Sequence, residues 1–357
     1  MDSLTQLALG AAVGELVLGK QVGRKAALWG AVFGTVPDLD VLVNPWLSDI
    51  QQLEFHRSIT HSLFFSVAMA PVGGYLVAAV HRHSGVGWRA WAWLVFWCLF
   101  THIVLDCFTT YGTQILQPFS DYRLILGTIF IIDPLYTLPL LFGLLFAFRF
   151  RRNIRLRRFA NGLGLGLSSA YLLFTLGNKL YVDSIFATAL HEQGLEYRRM
   201  FTSPTALNNL LWVALAEDDT GYWVGHYSLL DSDKQVDFRH FDARRELLAE
   251  LHEGPVMERL RWFTSGYYAL DEIDGALYFY DLHLPRTDNW LSMDGDFVFR
   301  FRLIIDPDVA GEVIAVHQER PPYGFSREAW TGLLARAWAQ SPPGRTHAVG
   351  DRLGTAE

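Results

Sequence analysis

Six stretches of the chain are apolar almost without interruption: residues 4–18, 26–43, 63–80, 90–105, 124–148 and 159–178. Carboxylates and imidazoles inside them are few enough to name, namely Glu15, Asp38, Asp40, His102 and Asp133, with Thr5 and Gln6 adding polarity to the first. Runs of this length without helical polar spacing predict membrane helices, the first two short enough to cross only partly or at a tilt. After residue 180 the period changes. Residues 207–216, 221–230, 276–284, 297–305 and 313–318 are rich in Val, Tyr, Phe and Trp with partial alternation, which predicts strands, and residues 241–251 and 256–264 read as helices. The expected architecture is a membrane α-helical bundle of about six segments (1–180) followed by an exterior α+β domain (181–340). The last stretch, 341–357, contains Pro-Pro-Gly and no apolar period, and is expected to be a disordered tail.

Composition strengthens this picture. Hydrophobic residues make up 51% of 357 and aromatics 14%, more than an ordinary soluble enzyme carries. Charge is divided unevenly: the first 180 residues hold 14 Lys/Arg against 9 Asp/Glu, and the rest 16 against 28. Eleven of those 14 basic residues sit in three linkers, Lys20 to Lys25, Arg82 to Arg89 and Arg149 to Arg158, which fall on one side of a six-segment bundle. The positive-inside rule makes that side cytoplasmic and the C-terminal domain periplasmic. Trp88, Trp91, Trp93 and Trp97 would then form an inner aromatic belt. Cys98 and Cys107 alone offer no disulfide framework, and the N-terminus lacks the basic region and cleavage site of a removable signal peptide. Gly162, Gly164 and Gly166 lie within an apolar helix and suit close helix packing. No phosphate loop or nucleic-acid motif is present.

The chemistry gathers at one side. His56, Arg57 and His61 precede the third segment, His102 and Asp106 are four apart near the end of the fourth and so share a helix face, and Asp38 and Asp40 close the second. Topology brings all of these to the outer side. Imidazole nitrogens and carboxylates are the donors that zinc takes, so Asp38, Asp40, His56, His61, His102 and Asp106 are candidate ligands for one or two divalent ions, zinc first and manganese second. Asp38 and Asp40, two apart, cannot point the same way from a helix, so one is a ligand and the other orients a histidine, or the helix breaks at Pro37. Asp40 and Glu15 are candidate catalytic carboxylates, and Asp133, just before Pro134, suits a helix cap or a proton relay. Arg57 and Arg123 flank the cluster and could hold an anionic substrate or snorkel to lipid headgroups. His81 and His83 fall on the opposite side and are excluded.

Met1 to Thr5, Gly14-Glu15, Pro37 to Asp40, His56 to Ser62, Thr101 to Asp106, and Tyr111 to Gln114 with Pro118 to Asp121 resemble the YdjM/YbcI-like family of inner-membrane metal-dependent hydrolases over residues 1–180. The resemblance implies a bacterial inner-membrane protein with hydrolase activity. Members commonly carry His where this chain has Gln6. The expected function is a metal-dependent hydrolase of a phosphoester or lipid-like substrate with its site at the outer face. A proton-coupled transporter using Glu15, Asp133 and the histidines, or a membrane anchor whose exterior domain recruits a protein partner, are the alternatives. Membrane lipid and a small-molecule or lipid substrate are the expected partners, with no nucleic acid.

Overall fold

A computed structural model describes residues 1–150, 152–252, 254–283, 297–319 and 327–339. The helical region contains α1 (Ser3–Val22), α2 (Arg24–Thr35), α3 (Asp49–Phe55), α4 (Leu63–Val80), α5 (Trp88–Cys107), α6 (Pro134–Arg149) and α7 (Ile154–Glu192). Of these, α4, α5 and α7 are long and apolar enough to cross a membrane. A fourth span is reached if α2 and the 3-10 helix Pro37–Trp46, bent by 41° against it, count as one. The six spans expected from apolar runs are thus three or four among the described residues. Two polar side chains, Gln6 and Glu15, interrupt α1, and α6 has only 16 residues, about 24 Å of helix against a hydrocarbon core of about 30 Å.

Glycine brings α1 and α2 together. Gly10 and Gly14 face Gly30 and Gly34 so closely that a Cβ on Gly10 would lie 2.3 Å from the Gly30 carbonyl oxygen, and one on Gly30 would lie 2.2 Å from that of Gly10. This is the small-residue spacing by which membrane helices approach backbone to backbone. Of the three glycines noted in α7, only Gly164 is used in this way, against Gly143 and Pro139 of α6. Trp91 and Cys98 of α5 are fully buried against α1 and α2, whereas Trp93 stays exposed.

The C-terminal region holds two antiparallel sheets. The first has strand order β1 (Arg199–Pro204), β2 (Leu211–Glu217), β3 (Gly221–Ser228) and β4 (Phe238–Asp242). The second runs β5 (Tyr268–Ile273), β6 (Ala276–Asp281), β7 (Arg300–Ile305) and β8 (Val313–Glu319). Helices α8 (Pro255–Phe263) and α9 (Arg327–Ala337) complete it. Residues 241–251, expected as a helix, instead finish β4 and turn through a 3-10 helix, Arg245–Glu250. Pairing of Phe241 with Tyr222 in the sheet overrides the local helical preference. The expected tail, 341–357, lies outside the described residues.

The two regions share structure. Helix α7 runs unbroken past residue 180, and its Val182, Ile185, Phe186 and Ala189 pack against Trp212, Ala214 and Tyr227. Leu53 of α3 is buried in the core of the second sheet with Leu260, Phe263 and Phe279. The loop that follows α3 carries His56, Arg57 and His61.

Candidate metal centre

Three chain segments converge on one point. The last turn of α5 places His102 and Asp106 on the same face, both fully buried. After α2, Pro37 cannot donate to the helical ladder, and the chain tightens into a 3-10 helix that turns Asp38 and Asp40 apart. Between α3 and α4, a second 3-10 turn, Ile59–His61, aims the buried His61 inward.

Four donor atoms meet there. His61 Nε2 lies 3.2 Å from His102 Nε2, 3.4 Å from Asp38 Oδ1 and 3.4 Å from Asp106 Oδ2. His102 Nε2 lies 3.5 Å from each of the same two carboxylate oxygens. All four donor atoms are within 4.8 Å of one another. Ligand bonds of about 2.0–2.1 Å make the edge of a regular tetrahedron about 3.3–3.4 Å, so five edges of this group have the length that a tetrahedral ion requires. The surroundings turn the donors the right way. His102 Nδ1 is 2.7 Å from the Gly34 carbonyl oxygen, which can only accept, so Nδ1 carries the hydrogen and Nε2 presents its lone pair to the cluster. Asp106 Oδ1 accepts from Gln6 Nε2 at 2.9 Å and from the Met1 amino group at 2.5 Å. Its other oxygen, Oδ2, is buried with no hydrogen-bond partner among the described residues, the nearby Arg57 Nε making an ion pair only. A buried carboxylate oxygen and an imidazole lone pair facing one another are costly unless something positive sits between them, so the residues fit a divalent cation.

Asp40 and His56 stand beside this group. Asp40 accepts from the Arg57 backbone N–H at 2.9 Å, lies 3.1 Å from His56 Nδ1, and is 3.6 Å from His61 Nδ1. It therefore orients the loop and the His61 ring, while His56, partly exposed, packs edge-on against Tyr111. Arg57 adopts φ 56°, a strained value for a side-chain-bearing residue. Its backbone is pinned there by Asp40 and by Gln114, whose N–H donates to the Arg57 carbonyl. The guanidinium donates to Thr109 Oγ1 at 2.8 Å and its Nε lies 3.2 Å from Asp106 Oδ2, offsetting part of the clustered negative charge.

Other residues singled out from the sequence lie elsewhere. Glu15 is nine residues beyond Gln6 on α1, about 13 Å along the axis, and is paired with Arg157 of α7. Arg123 is committed to structure: its two terminal nitrogens donate to the carbonyl oxygens of Phe263 and Tyr111, and its guanidinium stacks 4.5 Å from the Phe263 ring centroid. Burial lowers its pKa and pushes the Tyr111 hydroxyl up to about 12. Gly112, at φ 90°, leaves room for that guanidinium, since a Cβ would come 3.1 Å from Arg123 Nε. Asp133 caps α6, accepting from the backbone of Leu135 and Tyr136 and from the Tyr171 hydroxyl. His81 accepts from Trp29 Nε1 at 2.8 Å, away from the cluster. Three contributors were not foreseen. Gln6 was visible as a polar residue in an apolar run, but its task was not; Thr109 and Tyr111 carry no signal in spacing.

The comparisons agree with the helical part of this description. The family model described as "YdjM inner membrane protein" matches residues 1–181. The uncharacterized protein YfhP of Bacillus subtilis (strain 168) is 31% identical over 147 residues, 38% of this chain and 42% of that relative. No solved structure matches.

Proposed function

The chain belongs to the YdjM inner membrane protein family, and from that premise we propose that it is a membrane-bound, metal-dependent hydrolase acting on a phosphoester or lipid-like substrate. The observation that carries this reading is the convergence of Asp38, His61, His102 and Asp106, with five of the six donor–donor distances at 3.2–3.5 Å. These four would hold the ion, zinc by donor type with manganese as the second candidate. When bound, such an ion supplies Lewis-acid polarisation of a substrate oxygen and makes water acidic enough to attack near neutral pH. Asp38 is the donor with solvent access, its side chain 21% exposed against 0% for the other three, so substrate and water approach from its side. His56 on Asp40 forms an imidazole–carboxylate pair at the exposed margin, placed to accept a proton from attacking water or return one to the leaving group. Arg57 supplies positive charge beside the donors, suited to an anionic substrate group. The charge pattern of the linkers favours an outer-face site in the bacterial inner membrane with the sheets in the periplasm.

Elemental analysis of the purified full chain after growth with zinc or manganese tests the reading, together with hydrolysis of generic phosphoesters. Bound metal is expected in the wild type, and its loss in His61→Ala, His102→Ala and Asp106→Ala. His56→Ala is expected to keep metal while losing 10²–10⁴-fold in turnover, the usual worth of a positioned acid–base group. A wild type without metal, or ligand variants that retain it, would falsify the hydrolase assignment.

A further inference from the structure

Two adjoining depressions open on the α6–α7 side of the bundle, the second of them at the end away from the Asp/His cluster. One is a groove of about 550 Å³ between α6 and α7, lined only by apolar residues, among them Leu138, Phe142, Phe146 and Leu163. These are 44–53% exposed and face out of the bundle. The other, about 480 Å³, is lined by Leu16, Lys20, Ile154, Arg155, Arg158 and Phe159. Phe159 borders both, so the apolar groove runs into a basic one. Lys20 lies 14 residues along α1 from Gln6, about 21 Å from the level of the cluster, where a membrane surface would lie. Among the described residues, Lys20, Arg155 and Arg158 have no acidic partner, whereas neighbouring Arg157 is paired with Glu15. The N-terminus of α7 at Ile154 adds the positive end of a 39-residue helix to the same spot.

We infer that these joined depressions form a binding site for an anionic phospholipid, its phosphate held by Lys20, Arg155 and Arg158 and its acyl chains lying along the α6–α7 groove. The charge complementarity selects the occupant: a zwitterionic lipid would fill the groove but leave the three cations partly unmatched, and basic pockets between membrane helices are recognised by this chemistry. The site is separate from the metal centre and stands or falls independently of it.

Native mass spectrometry of the detergent-purified full chain tests this, titrating phosphatidylglycerol and phosphatidylethanolamine with identical acyl chains. Each cation near the headgroup contributes about fivefold, so the anionic lipid is expected to be held on the order of 100-fold more tightly. The combined variant Lys20→Gln, Arg155→Gln, Arg158→Gln removes that preference, and Leu163→Trp, which fills the groove, weakens both lipids. Inorganic phosphate is expected not to displace the lipid. Equal affinity for the two lipids in the wild type overturns the proposal without reference to any variant, as does displacement by free phosphate, or a lipid-independent dimer abolished by Leu163→Trp. Should the triple variant fail to elute as folded protein, Arg155→Gln alone decides by its single fivefold step.

Discussion

His102 has little freedom left. The Gly34 carbonyl takes one ring nitrogen, helix α5 fixes the Cα, and Asp106 one turn on shares the face. The shared face could be read in advance, because an imidazole and a carboxylate in or beside an apolar run are expensive and rarely idle; the Gly34 contact could not. The sorting of Asp38 from Asp40 could not be read, since it depends on how the backbone turns after Pro37, and two residues apart on a tight 3-10 helix point to different neighbours. Gln6 was harder still. Its amide holds Asp106 Oδ1 and so leaves Oδ2 for the cluster, a role that sequence position alone does not reveal. Gln6→Ala should therefore leave the fold intact but weaken metal affinity 10–100-fold, the usual cost of losing a group that orients a ligand. Competition with a chromogenic chelator measures this, and an unchanged affinity would remove Gln6 from the site.

At the level of elements, apolar runs located α1, α2 and α4 to α7 but not the short α3, and of the six expected spans three or four are long and apolar enough to cross among the described residues. Length and polarity within each helix decide crossing, and α1 is a mostly buried helix whose Gln6 and Glu15 find partners inside the protein. The tightest contact, α1 against α2, rests on glycines 10, 14, 30 and 34. It matters to the site because Gly34 supplies the carbonyl that holds His102, and Gln6 lies four residues before Gly10. Gly30→Ala should force the helices apart, costing about 1–3 kcal/mol as overpacking does, and should reduce metal content as well. Leu28→Ala, exposed on the same helix, serves as the control. Thermal unfolding in detergent with metal analysis reads both, and a fully stable, metal-replete Gly30→Ala protein would contradict the close-packing account. In the sheets, strands with continuous apolar runs such as β2 were legible, while β1, β4 and β5 were missed because their exposed or charged positions hide the period.

On the scale of the whole molecule, the change of period after residue 180 separated a helical region from a sheet region, and the backbone runs from one into the other without a break. Helix α7 continues into the sheets, and α3 joins their core. Arg123 ties the regions together a third time. Arg123→Ala leaves the carbonyls of Phe263 and Tyr111 without donors, at roughly 1–3 kcal/mol each if they stay dry, and Arg123→Lys should rescue only part because an ammonium does not reproduce the planar fork. Limited proteolysis is expected to release the sheet region faster in the Ala variant while metal content stays at the wild-type level; loss of metal there would show that Arg123 belongs to the centre after all.

Helix α7 is 39 residues long, about 58 Å, nearly twice the hydrocarbon thickness. It is a lever: pivoted at the basic groove, a tilt of only ~10° would sweep its far end through about 10 Å if nothing opposed it. The docking of Phe263 on Arg123 and Tyr111 is a second fixed point, which converts the lever into a braced frame. Motion at either end must then be shared by both, and the loop bearing His56 and Arg57 lies at the brace.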